Sequence, residues 1–353
     1  MAEKRCGKRY ESLPPVTLTA RLTAQLLAGP PAPDALAVAE RLLAVQGQDP
    51  RGFRLAVRAR TKGLHASDVD RALTEDRSLV VTWVNRGTLH LIRSEDYALL
   101  QAVTTPPLRT GSERRLAQEG VRLRDAERGI ATIERALADE GPLNAAELRE
   151  RVASTGVRAQ GQALYHLLFK ASLDGLVVRG PMVDGKHAYV LVRDWLGKPK
   201  PVGPDGALAE LARRYLAGHG PAGDRDLSRW AGISLGQART GLSAISSELK
   251  EIGDGVVDLK KRGAAAELPR PRLLGAYDPV LLGWTSREEI LGRHRYLVTV
   301  NGLFRPFAMV KGRAVGTWSM QNGEVVLEKL ARISKADRQA LERDAADVER
   351  FLG

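Results

Sequence analysis

Cysteine occurs once in the 353 residues, as Cys6, and the six histidines are scattered. A single cysteine excludes a disulfide framework and any multi-cysteine zinc site, and the histidines show no metal-ligand spacing. Neither a metal nor a cofactor is therefore expected. Aromatic residues make up 5% of the chain, and no run approaches the ~20 apolar residues that a membrane-spanning helix needs. The opening segment, Met1 to Arg9, is charged without a following apolar stretch, which is not the pattern of a secretory leader. A cytoplasmic protein with no membrane attachment is expected.

Apolar residues are 43% of the chain and charged residues 27%, enough for a real core and too ordinary for wholesale disorder. The length suits two or three domains, or one extended array of small ones. Basic residues outnumber acidic ones by 54 to 42, for a formal net charge of +12, and only 13 of the 54 are lysine. Such an excess attracts polyanions, of which nucleic acid is the commonest in the cytosol, and would place the protein at the nucleoid. Arginine suits bidentate phosphate contact, although a GC-rich genome also favours its codons.

Apolar residues recur at helical spacing from Leu18 to Leu27 and from Leu36 to Val45. Between them, Gly29-Pro-Pro-Ala-Pro-Asp34 predicts a turn with Asp34 capping the second helix. A third helical stretch spans Asp68 to Leu73. Leu79–Val84 and Thr88–Ile92, joined by Asn85-Arg-Gly87, read as a hairpin. The pattern then returns twice. Ile130–Leu137 and Leu208–Leu216 predict helices ending at Gly141-Pro142 and Gly220-Pro221, with Leu148 and Leu227 six residues after each proline. The two prolines lie 79 residues apart. Second helical runs follow, Ala159–Leu173 and Leu235–Leu249, and each copy closes on short apolar strands, Leu176–Arg179 with His187–Val192, and Val256–Leu259. A fixed-period recurrence of this kind is usually duplicated supersecondary structure. Linkers fall at Lys198–Pro204 and Lys260–Arg272. Beyond them, Leu297–Asn301, Phe304–Lys311, Ala314–Ser319 and Glu324–Leu330 predict consecutive strands, and Lys335–Phe351 a charged helix.

The fold class expected is α+β: three tandem winged helix-turn-helix units and a C-terminal β-rich domain. The first unit covers 15–110 and the second 111–200. The third covers 205–262, and the β-hairpin domain with its terminal helix covers 268–353.

The most informative segment is Leu42-Leu-Ala-Val-Gln-Gly-Gln-Asp-Pro-Arg51. Helical spacing puts Gln46 on the apolar face of Leu36, Ala39 and Leu43, where an amide must find a partner or a cavity. Gly47 suits a left-handed helix end that would turn Gln48 back toward Gln46. Spacing leaves two readings open: the amides hold one water between them, or they merely cap the helix and the Asp-Pro turn. Asp49 reads as a turn anchor or a general base, and Asp278 as a turn-capping carboxylate.

Leu43–Arg51, Ala59-Arg-Thr-Lys-Gly-Leu64 and Asn85-Arg-Gly-Thr-Leu-His-Leu91 resemble the AlkZ-type winged-helix DNA glycosylases. So do Ala276-Tyr-Asp-Pro-Val-Leu-Leu-Gly283 and Val310-Lys-Gly-Arg-Ala-Val-Gly-Thr-Trp318, in the same order along nearly the whole chain. The resemblance implies a C-shaped array with duplex DNA in its concave channel. It places the family's Gln-apolar-Gln catalytic motif on Gln46 and Gln48, with Gly47 departing from the larger apolar residue usual between them. Relatives in a neighbouring branch carry a carboxylate at the second position, so Gln48 aligns this chain with the branch linked to bulky genotoxin adducts. Duplex DNA carrying N7-alkylated guanine is the implied partner, crosslinks included, and the protein itself a monomer. With no lysine in Gln46–Asp49 to attack the sugar, a monofunctional glycosylase is expected.

For DNA contact, the resemblance raises Thr88 and His90 on the wing strand, and the hairpin tip Asn301-Gly-Leu-Phe-Arg305 offers Asn301, Phe304 and Arg305 to a minor groove. Arg51, Arg54, Arg58 and Arg60 follow the motif, and Arg109, Arg114 and Arg115 begin the linker to the second copy. All are phosphate-contact candidates, against the plain reading of a solvated basic face. The competing function is a non-catalytic winged-helix transcriptional regulator, which would be indifferent to Gln46 and Gln48.

Overall fold

A computed structural model describes residues 15–198 and 202–353; Cys6 and the middle of the 198–204 linker lie outside the described residues. Helix α1 (Pro15–Ala24) leads into the Gly29–Asp34 turn, where Asp34 Oδ1 accepts the Ala37 N–H at 2.7 Å and starts α2 (Ala35–Leu42). The first unit continues with β1 (Val45–Gln46), α3 (Pro50–Arg58), α4 (Ala66–Thr74), β2 (Leu79–Val84) and β3 (Thr88–Arg93). Two connecting helices, α5 (Tyr97–Thr104) and α6 (Pro106–Gln118), lead to the second unit. There α7 (Leu123–Glu140), α8 (Ala145–Ser154) and α9 (Ala163–Leu173) precede the hairpin β4 (Val177–Val183) and β5 (Lys186–Leu191), closed by α10 (Val192–Trp195). The third unit repeats the order: α11 (Pro204–His219), β6 (Ala222–Gly223), α12 (Asp224–Ala231), α13 (Leu235–Ala244), β7 (Leu249–Gly253) and β8 (Val256–Leu259).

Each unit thus runs helix, short strand, two helices, hairpin, and the short strand always pairs with the second hairpin strand. That strand is β1 on β3 in the first unit and β6 on β8 in the third; in the second it shrinks to one bridge, Leu143 to Tyr189. The 79-residue echo is this common ladder: Leu143 and Ala222 each follow the proline of a Gly-Pro pair. Hairpins of the first two units also join edge to edge through Val81 and Arg179, giving one sheet in the order β1-β3-β2-β4-β5. Joining covers two strand edges that would otherwise stay unpaired.

The C-terminal region contains β9 (Arg272–Leu274), α14 (Glu288–Leu291), β10 (Phe307–Val310), β11 (Arg313–Gln321), β12 (Glu324–Glu328) and α15 (Lys335–Leu352). One predicted strand does not form. Leu297–Asn301 begins in a 3₁₀ turn and pairs only at a single bridge, Val298 to Phe304, because the chain reverses within this loop instead of meeting β10. Two apolar cores result, and α15 belongs to the first: Leu341, Val348 and Phe351 pack into the same cluster as Phe53, Leu55 and Val57 of α3. Among the described residues no helix is long and apolar enough to cross a membrane.

Three arginines that the sequence offers to phosphate are structural instead. Arg54 is 7% exposed and forks onto Asp70; Arg58, 3% exposed, binds Asp344, Asp347 and the Leu273 carbonyl. Arg60 is fully buried against Asp278. A guanidinium out of water needs its donors filled, and the protein itself supplies acceptors to Arg54, to Arg60 and to both Nη groups of Arg58, leaving the buried Arg58 Nε without an acceptor among the described residues.

Burial pulls His90, His187 and His219 from the ordinary histidine value of 6.5 down to about 3. The unfolded chain therefore binds more protons between those values. This stability is fully present above about pH 6.5 and drains as pH falls toward 3, by up to ~1.4 kcal/mol per pH unit per histidine. Urea midpoints are expected to drop between pH 7 and pH 5, and His219→Gln to flatten that slope. A midpoint constant across the range would contradict the burial of these rings.

Candidate active site

Helix α2 ends three residues earlier than its apolar spacing predicts, because Leu43 takes φ 62° and reverses the chain. A left-handed leucine costs roughly 1–2 kcal/mol, which the burial of Leu43 and Val45 offsets. Val45 and Gln46 then lie opposite Leu91 and His90 at the edge of the five-stranded sheet. Gln46 accordingly sits on a strand, not on the helical face of Leu36 and Ala39. Nor is Gly47 the left-handed residue: its N–H donates to the Leu89 carbonyl at 2.6 Å and continues the ladder. Asp49 caps α3, its Oδ1 accepting the Gly52 N–H at 2.7 Å with Pro50 in the first turn.

That corner brings the two amides together. Gln46 Nε2 donates to Gln48 Oε1 at 2.6 Å. Gln46 Oε1 in turn accepts from Arg86 Nη2 at 3.1 Å and the Thr88 hydroxyl at 3.4 Å. Gln46 is 6% exposed while Gln48 is open to solvent, so the pair runs from the interior to the surface. Thr88 faces Gln46 across the strand. His90 requires a correction: it is 1% exposed, neutral, and hydrogen-bonded through Nδ1 to the Thr88 carbonyl at 2.9 Å, so it cannot reach DNA.

The C-terminal region completes the corner. Helix α3 lies so close to the 276 backbone that a Cβ on Gly52 would stand 2.4 Å from the Ala276 carbonyl oxygen. The next residue, Tyr277, adopts φ 57° and packs its ring 5.5 Å from Phe304. Burial, with the Asp49 carboxylate nearby, raises the Tyr277 phenol. Arg287 covers the same Phe304 ring at 5.1 Å. Phe304, half-buried, is therefore tied to the glutamine corner, whereas Asn301 and Arg305 stand exposed beside the exposed Leu303 and Val300. Arg51 is also exposed, as are Arg109, Arg114 and Arg115 on α6.

Four contributors went unnoticed in the sequence: Arg86, Arg229, Arg287 and Tyr277. Arg86 lies in the turn that signalled the hairpin, and only the pairing of β1 with β3 brings it to Gln46. No local pattern marks Arg229 or Arg287, and the Ala276–Gly283 motif gives Tyr277 no role of its own. Burial first, then the charges of Arg229 and Arg287, pull Arg86 down to about 10; burial and Arg229 lower Arg287. Arg86 stays cationic at neutral pH. Among the described residues no carboxylate figures in either shift, so positive charge accumulates beside the amides, which suits an anion. Two cavities of about 750 and 690 Å³ lie elsewhere, and neither is lined by Gln46 or Gln48.

As a cap, Asp49 need not be charged. Asp49→Asn is expected to keep both fold and activity, while Asp49→Ala loses about 1 kcal/mol of stability. Loss of activity in a folded Asp49→Asn variant would instead make this carboxylate a base.

A profile of the DNA glycosylase AlkZ-like family matches residues 39–351. An interstrand DNA cross-link repair glycosylase of Streptomyces sahachiroi is 26% identical over 373 aligned positions, spanning 94% of this chain and 95% of that protein. The solved structure of the Streptomyces sahachiroi DNA glycosylase AlkZ superposes with a TM-score of 0.77 at 26% identity, covering 95% of each chain.

Proposed function

The chain belongs to the AlkZ-like DNA glycosylase family and is a DNA-repair enzyme that hydrolyses N-glycosyl bonds; from that premise we propose that it removes guanine alkylated at N7 from duplex DNA. The non-catalytic regulator is set aside. In this reading the three repeated units are winged helices arranged as a C, with the duplex along the concave side and the protein acting as a monomer. Exposed Arg51, Arg229, Arg305 and Asn301, with Arg287, meet phosphates, which orient without reading sequence.

Alkylation at N7 leaves the base cationic, so it departs without a protein acid. As the C1′–N9 bond breaks, its electron pair passes to the base and neutralises it, while the sugar gains oxocarbenium character. A water oxygen bonds to C1′ and its surplus proton goes to solvent, leaving an abasic site and the free base. What the protein must supply is a fixed water, and positioning alone lowers such a barrier substantially. Gln48 is exposed and keeps a free lone pair on Oε1 beside the Gln46 amide. A water there donates to that oxygen and turns a lone pair toward the sugar. The exposure of Gln48 supports an open groove, as a base still tied to the opposite strand requires, and with it the unhooking of interstrand crosslinks.

The observation that carries the reading is the 2.6 Å contact between Gln46 and Gln48 beside unneutralised arginines. Wild-type protein is expected to convert oligonucleotide duplexes carrying N7-methylguanine, or an N7-linked crosslink, to abasic sites that break only after alkali. Borohydride should trap no protein–DNA adduct. Intact substrates after prolonged incubation would end the proposal for those lesions.

A further inference from the structure

Arg86 stands outside both the glutamine motif and the exposed basic surface, yet its hydrogen bonds decide which way the motif points. An amide can present either its oxygen or its nitrogen to a neighbour, and a hydroxyl accepts both, so Thr88 alone leaves the Gln46 amide free to turn over. A guanidinium carries donors only. With Arg86 Nη2 at 3.1 Å, the Gln46 group facing it must be Oε1, and Nε2 must face Gln48. Gln48 can then receive that N–H only through its own Oε1. We propose that Arg86 is a positioning residue that fixes the polarity of the glutamine pair, so that Gln48 always offers an oxygen to the attacking water. The inference rests on the water-holding role given above to the two amides.

The seat of Arg86 comes from another unit. Its Nη1 donates to the Trp230 carbonyl at the end of α12, and a Cβ on Gly232 would stand 2.6 Å from the Arg86 backbone nitrogen. The turn that carries it, Asn85-Arg86-Gly87, has φ values of 29°, 55° and 73°, three left-handed residues in succession. Arg86 thus spans the first and third units with one end on Trp230 and the other on Gln46. It is still cationic at neutral pH, and a charged donor polarises the Gln46 amide, which strengthens the N–H given to Gln48.

Arg86→Gln and Arg86→Lys separate this role from a phosphate contact. Glutamine restores the ambiguity of polarity; lysine keeps the charge but lacks the fork that reaches both Trp230 and Gln46. Single-turnover excision at saturating protein is expected to fall on the order of 10²-fold in both, the usual loss for a misdirected polar group at a reacting centre. Affinity for the same duplex, and the slope of log Kd against log salt, should stay as in wild type. Two results overturn the proposal: a salt slope reduced by about one with the saturated rate intact, which marks a phosphate ligand, or full activity in Arg86→Gln, which shows that the pair keeps its polarity without a donor-only partner. Should both variants unfold, the wild type decides. In protein labelled with ¹⁵N at glutamine side chains, Gln46 must show exchange-protected amide protons, and exchange as fast as an exposed amide refutes the fixed polarity. Wild-type protein that spares alkylated DNA removes the substrate reading, while the labelled spectrum still reports on Arg86.

Discussion

Gln48→Ala is expected to slow excision of N7-methylguanine by ~10³-fold at saturating protein, with little change in DNA affinity. Gln48 is the amide that faces solvent, and in the proposed mechanism its loss removes the oxygen that holds the water. Gln46→Ala should cost nearly as much by a different route. The orienting N–H disappears, and the largely buried Arg86 loses the acceptor it holds at 3.1 Å, so this variant should also melt earlier. The double variant should be scarcely slower than either single one, because the two amides work as one unit and their losses do not add. Single-turnover assays with alkaline cleavage, run beside binding measurements, check all three. A double variant within about threefold of wild type would remove the glutamines from the chemistry. A loss entirely in affinity would make them DNA contacts.

The largest stability effect is expected at Asp278. Its two oxygens receive Arg60 Nη1 at 2.9 Å and Nη2 at 2.8 Å, and neither side chain is exposed at all. Arg60 is further held by the Gln25 carbonyl and side chain and by the Ala56 carbonyl, while Asp278 Oδ1 also takes the Val280 N–H. Removing one partner strands a charge without water, so Asp278→Ala or Arg60→Ala should lose about 3–5 kcal/mol in urea unfolding. A matched apolar pair at both positions should recover much of that, since the penalty belongs to the stranded charge. A loss below about 1 kcal/mol in Asp278→Ala would mean that water reaches the pair. Asp278 also follows Tyr277, so its loss should disturb the ring that packs on Phe304.

Much of this fold is written in local sequence. Two β-rich runs around Asn85-Arg-Gly87 gave away the β2–β3 hairpin, Asp34 the start of α2, and the paired Gly-Pro steps the repetition of α7 and α11. Elements decided by distant partners were not visible. Strand β1 has two residues and exists only because β3 lies beside it; the same ladder forces the turn at Leu43. Helix α3 was missed although Asp49-Pro50 is a sound start signal, because it is buried nearly all round, with Arg54 and Arg58 as covered as Phe53, Leu55 and Val57, and so shows no polar face to set a helical period. Arg54, Arg58 and Arg60 look alike in sequence. Their acceptors lie 16, 286 and 218 residues away, out of reach of any spacing rule. The glutamine pair was legible through family likeness; the arginine that orients it was not, since a turn residue gives no hint of where its side chain ends.

The packing of α15 has a consequence for biosynthesis. Helix α3, which begins directly after the two glutamines, is buttressed by Asp344, Asp347 and Phe351, so the geometry of that corner depends on residues made almost three hundred positions later. On the ribosome, the β2–β3 hairpin can form early from neighbouring residues, but the scaffold under the amides waits for α15 to emerge. A nascent chain that has not yet released α15 is therefore a poor hydrolase.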